Sequence, residues 1–266
     1  MIFGHEDIQK AFTHFIREGT LGHAYLFFGD EGIGKRSFAY ECAHMIERGK
    51  KIGEAGATEE EPLGDLMILR PNEKGTIGID AVREVKHFLW QTPFHSPKRI
   101  ALIDDAHALT DEAEGAMLKI VEEPPSHGLI ILVTHDTQML LSPLLSRLSR
   151  IYFRRFSRDE IQRILEQEYH ATSARAKEIA RASFGRLGRA LSLLQGVTKK
   201  IPEDDTKGIL MRTIEEKILS LYTKGSVQYA ETLTHLLARE MAVKQFNINP
   251  GLQQKAVEYE ARGTYN

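Results

Sequence analysis

The chain has 266 residues, 42% of them hydrophobic, and a formal net charge of -2. That length and apolar content allow a main domain with one or two accessory ones and rule out wholesale disorder, while the neutral balance argues against a surface coated for nucleic acid. A single cysteine, Cys42, excludes intramolecular disulfides and multi-cysteine zinc sites.

In chain order, Ile8, Ala11, Phe12, Phe15 and Ile16 give Asp7 to Arg17 a helical period. The apolar run Ala24 to Gly29 predicts a buried strand, and Arg36 to Glu47 resumes helical spacing. The polar stretch Lys50 to Pro62 is expected to be an exposed loop, and "DLMILRP" a short strand closed by Pro71. Val82, Val85, Phe88 and Leu89 place a helix over Asp80 to Trp90. A second buried strand follows at Arg99 to Asp104. Thr110 then caps a helix that must stop at Glu123, because Pro124 and Pro125 follow.

Further strands are predicted at Gly128 to Thr134 and Ile151 to Phe153, with a helix start at Ser142-Pro143. Apolar strands alternating with helices imply a parallel sheet covered on both faces. Beyond Phe156 the pattern is all helical: Asp159 to Glu168, Ser173 to Ser183 and Gly188 to Leu194. A linker is expected at Thr198 to Asp205, two amphipathic helices between Ile209 and Val243, and a fraying tail after Asn247. The start of the chain is charged and lacks an apolar leader, and no run approaches the ~18 apolar residues of a membrane span. A soluble cytoplasmic protein is the expectation.

Two motifs carry chemistry. "GDEGIGKRS" places Gly29, Gly34 and Lys35 in the pattern G-x-x-x-x-G-K, with Gly32 inside it, between a strand and a helix. Glycines permit a backbone whose N–H groups face phosphate oxygens, and the lysine reaches the terminal phosphates. The alternative is a plain glycine turn with an exposed lysine. A hydroxyl belongs after the lysine to hold Mg²⁺, but Arg36 stands there, a cation with donors only. Ser37 lies one residue on, rotated by about 100° around the helix. The second motif, "ALIDDAH", ends a strand in Asp104 and Asp105, the places of the magnesium-holding and water-orienting acids of nucleotide hydrolases. A pair of acids capping the next segment is the plainer reading.

Together "LGHAYLFFGDEGIGK", "GIDAVREVKHFL", "ALIDDAHALTDEAEGAMLKIVEEPP" and "LLSPLLSRLSRIYF" resemble the delta prime subunits of the bacterial DNA polymerase III clamp loader, over Met1 to about Gln195. The resemblance implies an AAA+ α/β nucleotide domain over residues 1–156, a small helical lid over 157–197 and a short, partial collar over 198–266. It implies ATP at Gly29, Gly32, Gly34, Lys35, Ser37, Asp104 and Asp105, with Thr134 sensing the γ-phosphate and magnesium poorly provided for. "SRL" matches a Ser-Arg-Cys motif with Leu148 in place of cysteine, and the resemblance implies that Arg147 is an arginine finger for a neighbour's ATP site; the plainer reading is a surface arginine in a basic stretch with Arg150, Arg154 and Arg155. Gly188 falls where hydrolysing relatives carry a sensor arginine, with Arg189 beside it. Arg36, Asp105 and Gly188 all depart from an active enzyme, so little or no intrinsic hydrolysis is expected. An active clamp-loader ATPase is the alternative. The implied partners are the delta and gamma/tau-type ring subunits, and through them the sliding clamp and primed DNA, with no membrane. "GKKIGEAGATEEEP" stands where many relatives carry a four-cysteine zinc module, so no zinc is expected there, and the sequence points to no other metal site.

Overall fold

The computed structural model describes residues 2–49 and 62–196, together with 210, 213, 214, 217, 218 and 236. The chain divides into two compact units, Met1–Gln195 and Gly196–Asn266. In the first unit the elements run α1 (Glu6–Glu18), β1 (Ala24–Phe28), α2 (Lys35–Arg48), β2 (Leu66–Leu69), α3 (Ile79–Leu89) and β3 (Arg99–Ile103). A 3₁₀ turn at Ala106–Ala108 leads to α4 (Asp111–Glu122), β4 (Gly128–Thr134), α5 (Ser142–Leu145) and β5 (Ser149–Tyr152). Three helices complete it: α6 (Arg158–Tyr169), α7 (Ser173–Ala182) and α8 (Leu187–Leu194).

The five strands form one parallel sheet in the order β2-β3-β4-β1-β5. Alternation along the central strands divides the core in two, as a pleated strand requires. Tyr25 and Phe27 of β1, Ile100 and Leu102 of β3, and Leu129, Ile131 and Val133 of β4 pack on one face. Ala24 and Leu26, Ala101 and Ile103, and Ile130 and Leu132 pack on the other, against Val82 and Leu89 of α3 and Met117 and Ile120 of α4. Phe12 of α1 meets Phe27 and Phe38 edge-on with ring centroids 5.5 and 5.3 Å apart. This geometry suits the aromatic quadrupole and ties the first helix to the sheet.

The expectation that every strand is apolar throughout fails at β5. It starts at Ser149, earlier than Ile151, and ends at Tyr152, and most of its side chains are exposed. Among the described residues it pairs only with β1 and forms the sheet's edge, where exposed Arg150 resists pairing with another chain. Phe153 lies past the strand's end, although its N–H still bonds to the Phe28 carbonyl at 2.8 Å.

Side-chain caps mark two helix starts. The Thr110 hydroxyl accepts the Ala113 N–H at 3.3 Å, ahead of Asp111, Glu112 and Glu114 in the first turn of α4, where the helix dipole favours acids. Ser157 and Glu160 form a capping box at α6. Arg154 donates twice to Glu160, at 2.9 and 2.6 Å, and this bonding holds the Glu160 carboxyl at about 2.

A buried ion pair that no local pattern announces closes the far end of the sheet. Asp65 has no exposed surface and accepts the N–H groups of Phe94, His95 and Ser96 at 2.8, 2.7 and 2.9 Å. The Arg99 guanidinium, itself buried, lies 3.1 Å from the same carboxylate and stacks over Phe88 at 4.4 Å.

In the second unit, the described residues 210, 213, 214, 217, 218 and 236 are helical, with Leu210, Ile214, Ile218 and Leu236 buried. The loop at 50–61, the linker at 198–205, the tail after Asn247 and most of the two helices expected between Ile209 and Val243 lie outside the described residues.

Candidate functional site

The carboxyl ends of β1, β3 and β4 lie side by side, with Phe28 in register with Thr134 and Ile103 with Leu132. The glycine loop, the two acids and Thr134 therefore share one end of the sheet, where parallel α/β folds bind ligands. The chain leaves β1 through Gly29, Gly32 and Gly34, whose φ values are 138°, 73° and 99°. A Cβ on Gly29 would overlap the Phe153 carbonyl oxygen, so this turn requires glycine. The loop ends at the amino terminus of α2, whose free N–H groups and dipole favour an anion.

Lys35 is buried, and its Nζ donates to the loop carbonyls of Gly29 and Asp30 at 2.8 and 2.6 Å. Burial pushes this amine down to about 8, although Asp30, Glu31, Asp105 and Asp104 all act to raise it. The lysine is therefore charged at pH 7 and loses its proton as the pH rises through 8. Affinity for a polyphosphate held by Lys35 is expected to fall about tenfold between pH 7 and pH 9, since the bound anion favours the protonated amine. Titration with a fluorescent ATP analogue at both pH values checks this; equal affinities would remove Lys35 from the phosphate site.

Beside the loop, Arg36 Nη1 lies 3.1 Å from Asp104 Oδ2. Burial first, then the neighbouring Asp105, raises the Asp104 carboxyl, while Arg36 and Arg70 act against the rise. The acid that would hold magnesium thus faces a permanent cation. Ser37 is exposed on α2, and Asp105 is exposed with left-handed backbone at φ 52°. The Asp105 side chain does not cap the 3₁₀ turn that it precedes. Thr134 is buried; its hydroxyl donates to the Asp136 carbonyl at 2.9 Å, accepts the Asp136 N–H at 3.1 Å and lies 3.3 Å from His107 Nδ1. Burial, then the adjacent His135, pushes the His107 imidazole below its ordinary value. The loop therefore fits phosphate, whereas the Arg36–Asp104 pair does not fit Mg²⁺.

The helices after β5 close over the loop. The Gly188 N–H donates to the Gly32 carbonyl at 2.7 Å. A Cβ at Gly188 would stand 3.1 Å from the Gly32 oxygen and 3.2 Å from its Cα, so α8 meets the loop backbone to backbone. Arg155 grips the Asp30 carboxylate with Nε at 2.6 Å and Nη2 at 3.0 Å. By sequence Arg155 is only one member of a basic stretch with Arg150 and Arg154. Its partner lies 125 residues away, and no local signal links them. His5 is also buried at this site. Its Nε2 lies 3.2 Å from the Ile33 carbonyl and its ring meets Phe153 edge-on, so it serves as a loop contact.

Arg147 lies apart from the loop, exposed at the end of α5. Its Nε pairs with Glu122 Oε1 at 2.7 Å and its Nη1 donates to the Pro143 carbonyl at 2.9 Å. Leu144 and Leu148 on either side are buried in the core and anchor the segment that presents it.

A family model described as DNA polymerase III, delta subunit, matches residues 4–157. The chain belongs to this family. Within it, the matched span carries the glycine loop, both acids, Thr134 and Arg147. DNA polymerase III subunit tau of Escherichia coli is 32% identical over 209 residues, covering 72% of the chain and 32% of that protein. Subunit gamma/tau of Mycobacterium tuberculosis is 32% identical over 184 residues, covering 63% and 31%. The chain thus spans about a third of the length of these relatives. Its fold is similar to that of a DNA polymerase III gamma subunit-related protein from Thermotoga maritima, with TM-score 0.54 and 17% identity, covering 96% of the chain and 99% of that structure. It is also similar to the RuvB Holliday junction branch migration motor of the same organism, with TM-score 0.51 and 16% identity, covering 97% and 70%. The described residues form an α/β fold with a five-stranded parallel sheet, similar to that of these AAA+ structures. No helix among the described residues is long and apolar enough to cross a membrane.

Proposed function

We propose that the chain acts in DNA replication as the delta prime member of a clamp loader. It would join delta and gamma/tau-type subunits in a ring that loads the sliding clamp on primed DNA, and hydrolyse ATP poorly or not at all. In this reading residues 1–156 form the nucleotide domain, 157–197 the lid and 198–266 a partial collar. The observation that carries it is the Arg36–Asp104 pair at 3.1 Å, which sets a fixed cation where magnesium chemistry needs a free carboxylate. Gly29, Gly32, Gly34 and Lys35 would still hold the phosphates of ATP, with the α2 amino terminus adding its dipole. Ser37, Asp105 and Thr134 border that site. Arg147 would serve a neighbour's nucleotide, because it is exposed and points away from its own loop's machinery toward Glu122.

A second reading, an active ATPase subunit, draws on the gamma/tau identity of the relatives at 32%. Turnover of labelled ATP by the isolated chain separates the two. We expect a rate far below ~1 s⁻¹ that Lys35→Ala leaves unchanged; a rate near ~1 s⁻¹ abolished by Lys35→Ala would establish the enzyme. Failure to co-purify with delta and gamma/tau-type subunits would refute ring membership. Arg36→Ser removes the competing cation and restores a hydroxyl. It should make ATP-analogue affinity rise about tenfold with added Mg²⁺, the worth of one good charge-assisted contact, where the native chain shows little response.

A further inference from the structure

We propose that Asp105, His107 and His135 form a binding site for one divalent transition-metal ion of the zinc class, bridging the segments that follow β3 and β4. One ligand atom from each of the three residues lies within 4.8 Å of those of the other two. The two imidazoles meet edge to face with ring centroids 4.1 Å apart. Asp105 and His135 are exposed and His107 is half-buried, so an ion reaches the site from solvent.

The hydrogen bonds around His107 set its tautomer. The Thr134 hydroxyl has one proton and donates it to the Asp136 carbonyl. Toward His107 Nδ1 at 3.3 Å that oxygen can therefore only accept, which places the imidazole proton on Nδ1. Nε2 is left with the free lone pair. A metal-binding histidine held through its other nitrogen is the common arrangement, because the tether fixes both ring orientation and tautomer.

The donor set selects the ion. Two imidazole nitrogens and one carboxylate suit Zn²⁺, Co²⁺ or Ni²⁺, whereas Mg²⁺ prefers oxygen ligands throughout. Bonds of 2.0–2.1 Å in a tetrahedral site put neighbouring ligand atoms about 3.3 Å apart, so ligand atoms that now lie within 4.8 Å must close by up to about 1.5 Å. The exposed side chains of Asp105 and His135 can supply that movement. Three protein ligands leave one position for water or a further ligand. The site does not use Asp104, which Arg36 already engages. It stands independently of the clamp-loader reading.

Titration of the full chain, without a polyhistidine tag, with Co²⁺ and then Zn²⁺ tests this. We expect visible d–d absorption that saturates at one equivalent of Co²⁺, is bleached by Zn²⁺ and persists in excess Mg²⁺. His135→Asn alters an exposed residue and should preserve the fold, judged by circular dichroism, while weakening Co²⁺ affinity at least tenfold; Asp105→Asn should act in the same direction. Absence of a one-equivalent absorption band, or wild-type Co²⁺ affinity in His135→Asn, would overturn the proposal.

Discussion

Arg147→Ala is expected to lower ATP turnover at the adjoining subunit's site by on the order of a thousandfold in a reconstituted ring, while the isolated chain keeps its melting temperature. Both halves follow from where the side chain sits. It is exposed and contributes nothing to either core, so its loss removes only a surface pair with Glu122 and a bond to the Pro143 carbonyl. Such exposed pairs contribute about 0–1 kcal/mol. Its effect on a neighbour would be far larger, because a planar, permanently charged guanidinium neutralises charge that develops in phosphoryl transfer. Arg147→Lys should recover little of the rate, since a compact ammonium lacks the fork of donors. Glu122 holds Nε and so sets the direction of the group in the isolated chain. A ring whose turnover is the same with Arg147→Ala would end the assignment.

The second large effect is on stability. Asp65→Ala should destabilise the folded chain by about 3–5 kcal/mol, because it leaves Arg99 buried without its counter-charge and three N–H groups without their acceptor. That is a large share of the ~5–15 kcal/mol that keeps a domain folded. The effect depends on pH in a defined direction. Burial by itself would raise the Asp65 carboxyl, but the three backbone donors and Arg99 outweigh it and hold it below the ordinary aspartate value. Its contribution is therefore complete above the unfolded value near pH 4 and is lost as the pH falls through the lower folded value. Denaturant unfolding of native chain and Asp65→Ala should differ most near neutral pH and converge in strong acid. A loss below 1 kcal/mol at pH 7 would show that the pair does not hold this end of the sheet.

Local patterns foretold those elements whose cause is local. The run Gly128 to Thr134 is continuously apolar and became the fully buried β4 with the same bounds. Thr110 and the two prolines marked both ends of α4. The glycine spacing announced a tightly turned loop after β1 because φ values of 138°, 73° and 99° demand that residue type. β5 was misjudged because edge position depends on strand order, which the composition of one strand does not encode. In the sequence Arg36 marks a missing hydroxyl, and only the fold shows that it reaches Asp104. In the sequence Gly188 stands in place of an arginine, and the fold shows the backbone contact with Gly32 that a side chain there would crowd.

The sequence by itself determined the alternation of strands and helices, the glycine loop, the paired acids after β3 and the presence of Arg147, all written in residues close together along the chain. Only the tertiary structure decided that Asp65 meets Arg99, that Arg155 grips Asp30, and that Asp105 and His107 stand beside His135. Charges and imidazoles act over a few ångströms of space, and the parallel sheet brings together strand ends that are separated by dozens of residues of chain.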